Sequence, residues 1–231
     1  EPPPPQRPQH DHPRSAQQLR LKLEGELGTN PYKFGMNGST DSHTGLATAD
    51  DDNFFGKHSG SEPSPDRMHH PFAKFGDLAI MGWETLASGY AGVWATENTR
   101  EAIWDAMQRK ETYGTTGPRM LVRFFGGWNF EEADVNTRQP AEAGYAKGVP
   151  MGGDISKAPE GKSPSFLVAV LKDPIGANLD RVQIIKGWVD SNGELRERVY
   201  DVAVSDGREI NDEGRCTTPV GNTVDVASAT W

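Results

Sequence analysis

Lys33-Phe-Gly-Met-Asn-Gly-Ser-Thr-Asp-Ser-His-Thr-Gly45 is the stretch from which the fold and the chemistry of this chain are read. A short apolar run, Phe34 and Met36, ends in small residues, and Asp41 and His43 follow two apart. The run predicts a strand over 33–38. With the chain extended past Thr40, side chains at i and i+2 point to one face, so the carboxylate and the imidazole converge at the strand's carboxyl end. Open α/β sheets and barrels place their sites there. A carboxylate paired with an imidazole suits zinc, manganese or iron. The same two residues also make an ordinary solvated turn, and the rest of the chain decides which reading holds.

The 231 residues permit one large or two small domains. With 26 glycines and 17 prolines against a hydrophobic content of 35%, the composition is that of a loop-rich α+β chain. A formal net charge of −9 offers no basic footprint, so neither nucleic acid nor an anionic membrane surface is an expected partner. No apolar run approaches the roughly 18 residues of a membrane span. The single Cys216 rules out an internal disulfide. Nothing in the pattern speaks to oligomeric state.

Residues 1–14 are proline-rich and read as an extended lead-in, with His10-Asp11-His12 an exposed loop inside it. Ser15 and Gln18 form a capping box for a helix over 15–27, with Leu19, Leu23 and Leu27 on one face and Gly28 and Asn30-Pro31 as the stop. Helix 15–27 and strand 33–38 together read as an αβ unit. Residues 44–89 form a long loop. Its Asp50-Asp51-Asp52 run lacks calcium-loop spacing and reads as solvated charge. His58 and the pair His69-His70 either line the site from above or are surface histidines of that loop. A second helix is predicted over 98–110, capped by Asn98 with Glu101, with Ile103, Trp104 and Met107 as its buried stripe.

Tyr113-Gly-Thr-Thr-Gly-Pro-Arg119 then leads into a strand over 120–125, where Arg119 is a candidate for an anionic substrate group or for structural pairing with an acid. Beyond Gly126 only strands are legible, which places a boundary between 127 and 145. They are 166–171 and a hairpin, 181–189 and 195–204, turning at Ser191-Asn192-Gly193. The stretch Val220 to Trp231 alternates like a strand up to the last residue.

Several blocks of the chain, taken in order, resemble a known family. They are Asn30 to Gly45, Asn53-Phe-Phe-Gly-Lys-His58, Trp94-Ala-Thr-Glu-Asn-Thr-Arg-Glu-Ala-Ile103, Tyr113 to Arg119, Pro150-Met-Gly-Gly-Asp154 and Asp180-Arg-Val-Gln-Ile-Ile-Lys-Gly-Trp188. The family is catalogued as domain of unknown function 3604 and is related to the PHP metal-dependent phosphoesterases.

The resemblance implies part of a PHP-like (β/α) barrel over 15–126, followed by an antiparallel β-sandwich-like region over 127–231. It matches Asp41 and His43 to the last metal-ligand motif of such enzymes, and it implies a divalent metal cofactor and a small anionic ester as substrate. Arg119 and His58 are then the candidate substrate contacts. Relatives are longer and carry a His-x-His on earlier strands, so the chain corresponds to their carboxyl-terminal part, and a periplasmic or secreted location is open. Against this metal-dependent hydrolase stands a non-catalytic binding or scaffold module built on the β-rich half. A serine hydrolase does not fit, because Ser42 points away from its neighbours in an extended chain and no Gly-x-Ser-x-Gly elbow occurs.

Overall fold

A computed structural model describes residues 13–45, 49–50, 53–54, 56–60, 62–85, 89–155, 157–174, 177–221 and 228. The proline-rich lead-in up to residue 12 and nearly all of the final alternating stretch lie outside the described residues. In chain order the elements are α1 (Pro13–Leu27), β1 (Ala49–Asp50), β2 (Asn53–Phe54), β3 (Pro71–Phe75), β4 (Leu78–Met81), β5 (Ala91–Val93), α2 (Arg100–Gln108), β6 (Thr112–Gly114), β7 (Leu121–Gly127), α3 (Pro140–Lys147), β8 (Gly148–Pro150), β9 (Ser165–Leu171), β10 (Arg181–Val189) and β11 (Leu195–Val204). The fold is α+β, with small antiparallel sheets and, among the described residues, no closed barrel. Two compact units are present, residues 34–176 and the combination of 1–33 with 177–231.

In the unit of residues 34–176 the core forms around the three-stranded sheet β8-β7-β9. Phe125 of β7 and Leu167 of β9 are cross-strand partners, each only 1% exposed. Helix α3 covers them. Its Gly144 lies so close to the Phe125 ring that a Cβ would stand 2.5 Å from Cδ2, and the Tyr145 ring meets Phe125 edge-on at 5.1 Å. The sheet joins residues on both sides of position 127, so strand 121–127 and strand 165–171 share one core.

A buried carboxylate ties α2, β6, β7 and α3 together. Glu111 accepts a hydrogen bond from the Tyr145 hydroxyl and lies 3.5 Å from Arg109 Nη2 and 3.7 Å from Arg123 Nη1. The Arg123 guanidinium sits 3.4 Å over the Trp94 ring, and Trp94 Nε1 donates to Val122 O at 2.9 Å.

Helix α2 starts one residue later than the Asn98 cap implies, with Thr99 Oγ1 accepting from Ala102 N. Its orientation also differs from the expected one. Ala106 is the buried residue, while Trp104 is 60% and Met107 41% exposed. The apolar stripe exists on the helix, but the described neighbours meet the side of the small alanines instead.

Within the stretch expected to be an irregular loop, Pro71–Phe75 and Leu78–Met81 pair antiparallel around Gly76, which takes a left-handed φ of 62°. Neither strand alternates apolar with polar residues, Pro-Phe-Ala-Lys-Phe against Leu-Ala-Ile-Met, so no period-two signal marks the hairpin.

The second unit is a hairpin with one helix. Strands β10 and β11 pair from Arg181 with Val204 to Val189 with Leu195. In the turn between them Gly193 alone is left-handed (φ 80°), and Asp190 Oδ1 accepts from the amides of Asn192 and Glu194 at 2.9 and 3.0 Å. That is a three-residue loop closed by an Asp side chain.

Helix α1 lies on this hairpin, with Gln18 and Leu21 beside Gly187, and residues 33–38 form no strand to complete the expected αβ unit. Leu19 and Leu27, expected on its inner face, are exposed. The irregular chain after β11 is held by side chains, chiefly two carboxylates: Asp180, which takes Arg208 Nη2 at 2.6 Å, and Asp201. Asp201, fully buried at its side chain, accepts from Arg181 Nη1 at 3.0 Å, Gln183 Nε2 at 2.6 Å and Cys216 N at 2.7 Å, with Arg215 Nε at 3.5 Å.

Candidate metal centre

Residues 33–38 do not form the expected strand, and the chain from 33 to 42 is irregular. They run as an irregular strip past β6, and they are held there by a side chain rather than by a ladder: Thr112 Oγ1 donates to Met36 O at 3.0 Å. The glycines explain the difference. Gly38 brings the strip against the backbone of Tyr90 and Thr115, where a Cβ would stand 2.5 Å from Tyr90 O and 2.8 Å from Thr115 O. Such close backbone approach replaces the strand spacing that a ladder needs.

The strip ends in two overlapping side-chain turns. Ser39 Oγ accepts from Asp41 N at 3.1 Å and Thr40 Oγ1 from Ser42 N at 3.3 Å. Asp41 takes a left-handed φ of 50°, a conformation that a short polar side chain tolerates. The chain then straightens at His43, whose amide donates to Lys57 O at 2.7 Å in an isolated parallel bridge between His43 and His58.

This arrangement brings Asp41 and His43 together by a route other than strand alternation. Asp41 Oδ1 and His43 Nε2 are 3.3 Å apart. The other oxygen, Oδ2, is 2.9 Å from the Lys57 ammonium, and Lys57 Nζ also donates to Thr40 O at 3.3 Å. Lys57 is 8% exposed, whereas the Asp41 side chain is 65% exposed. The Lys57 hydrogen bond, and after it the one with His43, holds the Asp41 carboxyl below the usual carboxylate range. Ser42 Oγ is buried and makes no hydrogen bond among the described residues, which gives it no base to act with.

His58 stands beside the pair, its ring 5.6 Å from that of His43 and 6.2 Å from Phe72. Its Nδ1 accepts from Gly60 N at 3.0 Å, which places the proton of the neutral ring on Nε2. His58 is thereby set as a hydrogen-bond donor. The segment carrying it is stapled by buried Glu62, whose amide donates to His58 O at 3.0 Å and whose carboxylate pairs with Arg67 at 3.5 Å.

His69 and His70 belong to the turn that follows, where His70 Nδ1 lies 3.0 Å from Asp66 O. Arg119 stands over the Tyr90 ring at 5.2 Å, and its amide donates to Asp173 Oδ2 at 2.7 Å. Tyr90 in turn abuts Gly38, so Arg119 belongs to the neighbourhood of the strip.

Metal–ligand distances of about 2.0–2.2 Å put adjacent donor atoms of a four- to six-coordinate ion roughly 3 Å apart. The 3.3 Å between Asp41 Oδ1 and His43 Nε2, a hydrogen-bond contact in this structure, is close to the length of such an edge. Among the described residues no third His, Cys, Asp or Glu completes a cluster able to hold an ion. Lys57 was missed in the sequence. It stands next to His58 in a block that carries the family resemblance, but no spacing rule links a lysine to a carboxylate 16 residues upstream.

A family model described as Protein of unknown function (DUF3604) matches residues 2–231, and the chain belongs to that family. No curated protein and no solved structure matches the chain. No helix among the described residues is long and apolar enough to cross a membrane.

Proposed function

We propose that this chain contributes Asp41 and His43 as ligands to the divalent-metal centre of a hydrolase acting on a small anionic ester of the phosphoester class, within a PHP-like fold. The observation that carries the reading is the 3.3 Å convergence of Asp41 Oδ1 and His43 Nε2 on a turn held from both sides. A zinc, manganese or iron ion held there would supply Lewis acidity and activation of water near neutral pH.

The chain's own residues divide the remaining work. The Ser39 and Thr40 turns and the Lys57 carbonyl fix the two ligands, so little ordering is left for the moment of binding. His58, protonated on Nε2, donates to a substrate oxygen. Arg119, one loop away, offers a guanidinium for a second anionic oxygen.

Calorimetric titration of the chain with manganese and zinc chlorides tests the reading. Weak binding is expected, since two protein ligands are supplied, and either Asp41→Ala or His43→Ala should abolish it. Binding untouched by both substitutions would refute it. One observation favours the alternative of a binding or scaffold module: α2 presents Ile103, Trp104 and Met107 around an open apolar surface. A chain that takes up no metal yet loses association with a partner on Trp104→Ser would establish that alternative.

A further inference from the structure

Lys57 is the feature of the site that its ligand pair does not explain. A side chain with its stem buried brings its ammonium to Asp41 Oδ2 at 2.9 Å and to Thr40 O at 3.3 Å, on the oxygen of Asp41 that His43 leaves free. The same residue's carbonyl receives the His43 amide at 2.7 Å. One residue therefore holds both members of the pair, His43 through its backbone and Asp41 through its charge.

The two holds have opposite consequences for an incoming cation. The backbone bond is neutral and orders His43 whatever occupies the site. The ammonium is a positive charge already satisfying the carboxylate that a metal would use. A divalent ion on the Oδ1–Nε2 edge and an ammonium on Oδ2 would share one carboxylate at a separation of roughly 5 Å, and even with water-like screening their repulsion corresponds to about tenfold in affinity. Against this stands the ordering that Lys57 gives Asp41. That turn is also fixed by Ser39 Oγ and Thr40 Oγ1, so the ammonium is not its sole support.

We propose that Lys57 is a built-in counter-cation that competes with the metal for Asp41: it holds the carboxylate in place in the metal-free protein and sets the metal affinity low. This rests on the metal-centre reading above and adds a control of occupancy to it. Lys57 is a positioning residue here, and no step of hydrolysis is assigned to it.

Structural damage at a metal site weakens binding, whereas removal of a competing charge strengthens it. Manganese chloride would be titrated calorimetrically into the wild-type chain, Lys57→Met, which keeps the stem and loses the charge, and Lys57→Arg, which keeps the charge. Lys57→Met should bind manganese about tenfold more tightly, and Lys57→Arg should stay within about threefold of wild type. Equal or weaker binding by a folded Lys57→Met overturns the proposal.

A measurement on the wild type covers the case of a variant that does not fold. In a zinc titration followed by NMR, the Lys57 side-chain Cε resonance should shift along the zinc binding isotherm as the ion repels the ammonium beside it. A stationary Lys57 signal beside a shifting Asp41 signal also overturns it. If wild type and Lys57→Met alike take up no metal, the metal-centre reading itself falls and this inference with it. If wild type binds through Asp41 but Lys57→Met binds no tighter, only this inference falls.

Discussion

Gly38→Ala is the smallest change that separates the strip carrying Asp41 from its support. The new methyl would stand 2.5 Å from Tyr90 O, 2.8 Å from Thr115 O and 3.2 Å from Thr115 N. All three are backbone atoms, and they are fixed to one another by Thr115 N donating to Tyr90 O and Tyr90 N to Thr115 Oγ1, each at 3.0 Å. They cannot swing aside as the end of a long side chain would, so the strip must retreat by roughly half an ångström to an ångström to restore ordinary contact. Overpacking of this kind costs about 1–3 kcal/mol. The retreat also weakens the Thr112 bond to Met36 O, worth about 0.5–1.5 kcal/mol.

Alanine returns only about 0.4–1 kcal/mol by narrowing the unfolded ensemble. The net expectation is a loss of about 1–3 kcal/mol, read as a lower urea midpoint at unchanged slope. The same variant should weaken manganese binding, because Asp41 follows three residues later. A Gly38→Ala chain as stable as wild type would refute the close-approach account of the strip.

Other substitutions report on separate parts of the molecule. The Asp41 carboxyl should titrate below the ordinary carboxylate value by carbon NMR, its stabilising contribution present above the unfolded pKa and lost as pH falls through the lower folded one; Lys57→Met should move the midpoint back up, and a normal wild-type midpoint would contradict the ion pair. Phe125→Ala should cost about 3–5 kcal/mol in urea unfolding, since its ring fills the space between β7, β9 and Gly144 of α3. Gly25→Ala in α1, where the added Cβ meets nothing within 4 Å, should stabilise its unit by about 0.5–1 kcal/mol, and a loss would contradict the open space around Gly25.

What the sequence disclosed depended on whether the signal was local. The hairpin 181–204 carries its alternation, its turn glycine and its bounds in one continuous stretch, and the structure forms it with those bounds. Helix α2 was legible from its cap and periodicity, but the side it buries was not, because that choice belongs to the elements it meets. Ala106 inside and Trp104 outside is a tertiary outcome. Residues 33–38 read as a strand by composition, yet Gly35 and Gly38 serve close contact with β6 and its flanks, and only the partner's position reveals that use. At the site, convergence of Asp41 and His43 was expected from alternation, and it arises from a left-handed Asp and a parallel bridge. Lys57 had no local signal at all, since its partner is distant in the chain and joined to it by a turn.

Asp201 carries an implication for how the sequence of this region is free to vary. The chain from Ser205 to Cys216 has no helix or strand, and Asp201 gathers the Arg215 side chain and the Cys216 amide onto the hairpin. A segment ordered by a ladder shares its support among many interchangeable backbone bonds and tolerates the loss of any one. Here support is concentrated in a few side chains, Asp201 with Cys216 and Asp180 with Arg208, so drift at Glu209 or Asp212 is nearly silent while a change at Asp201 removes one of the two acids that hold Arg181 and is felt 15 residues downstream. Evolutionary tolerance in this stretch is thus set by position in a hub rather than by distance along the chain.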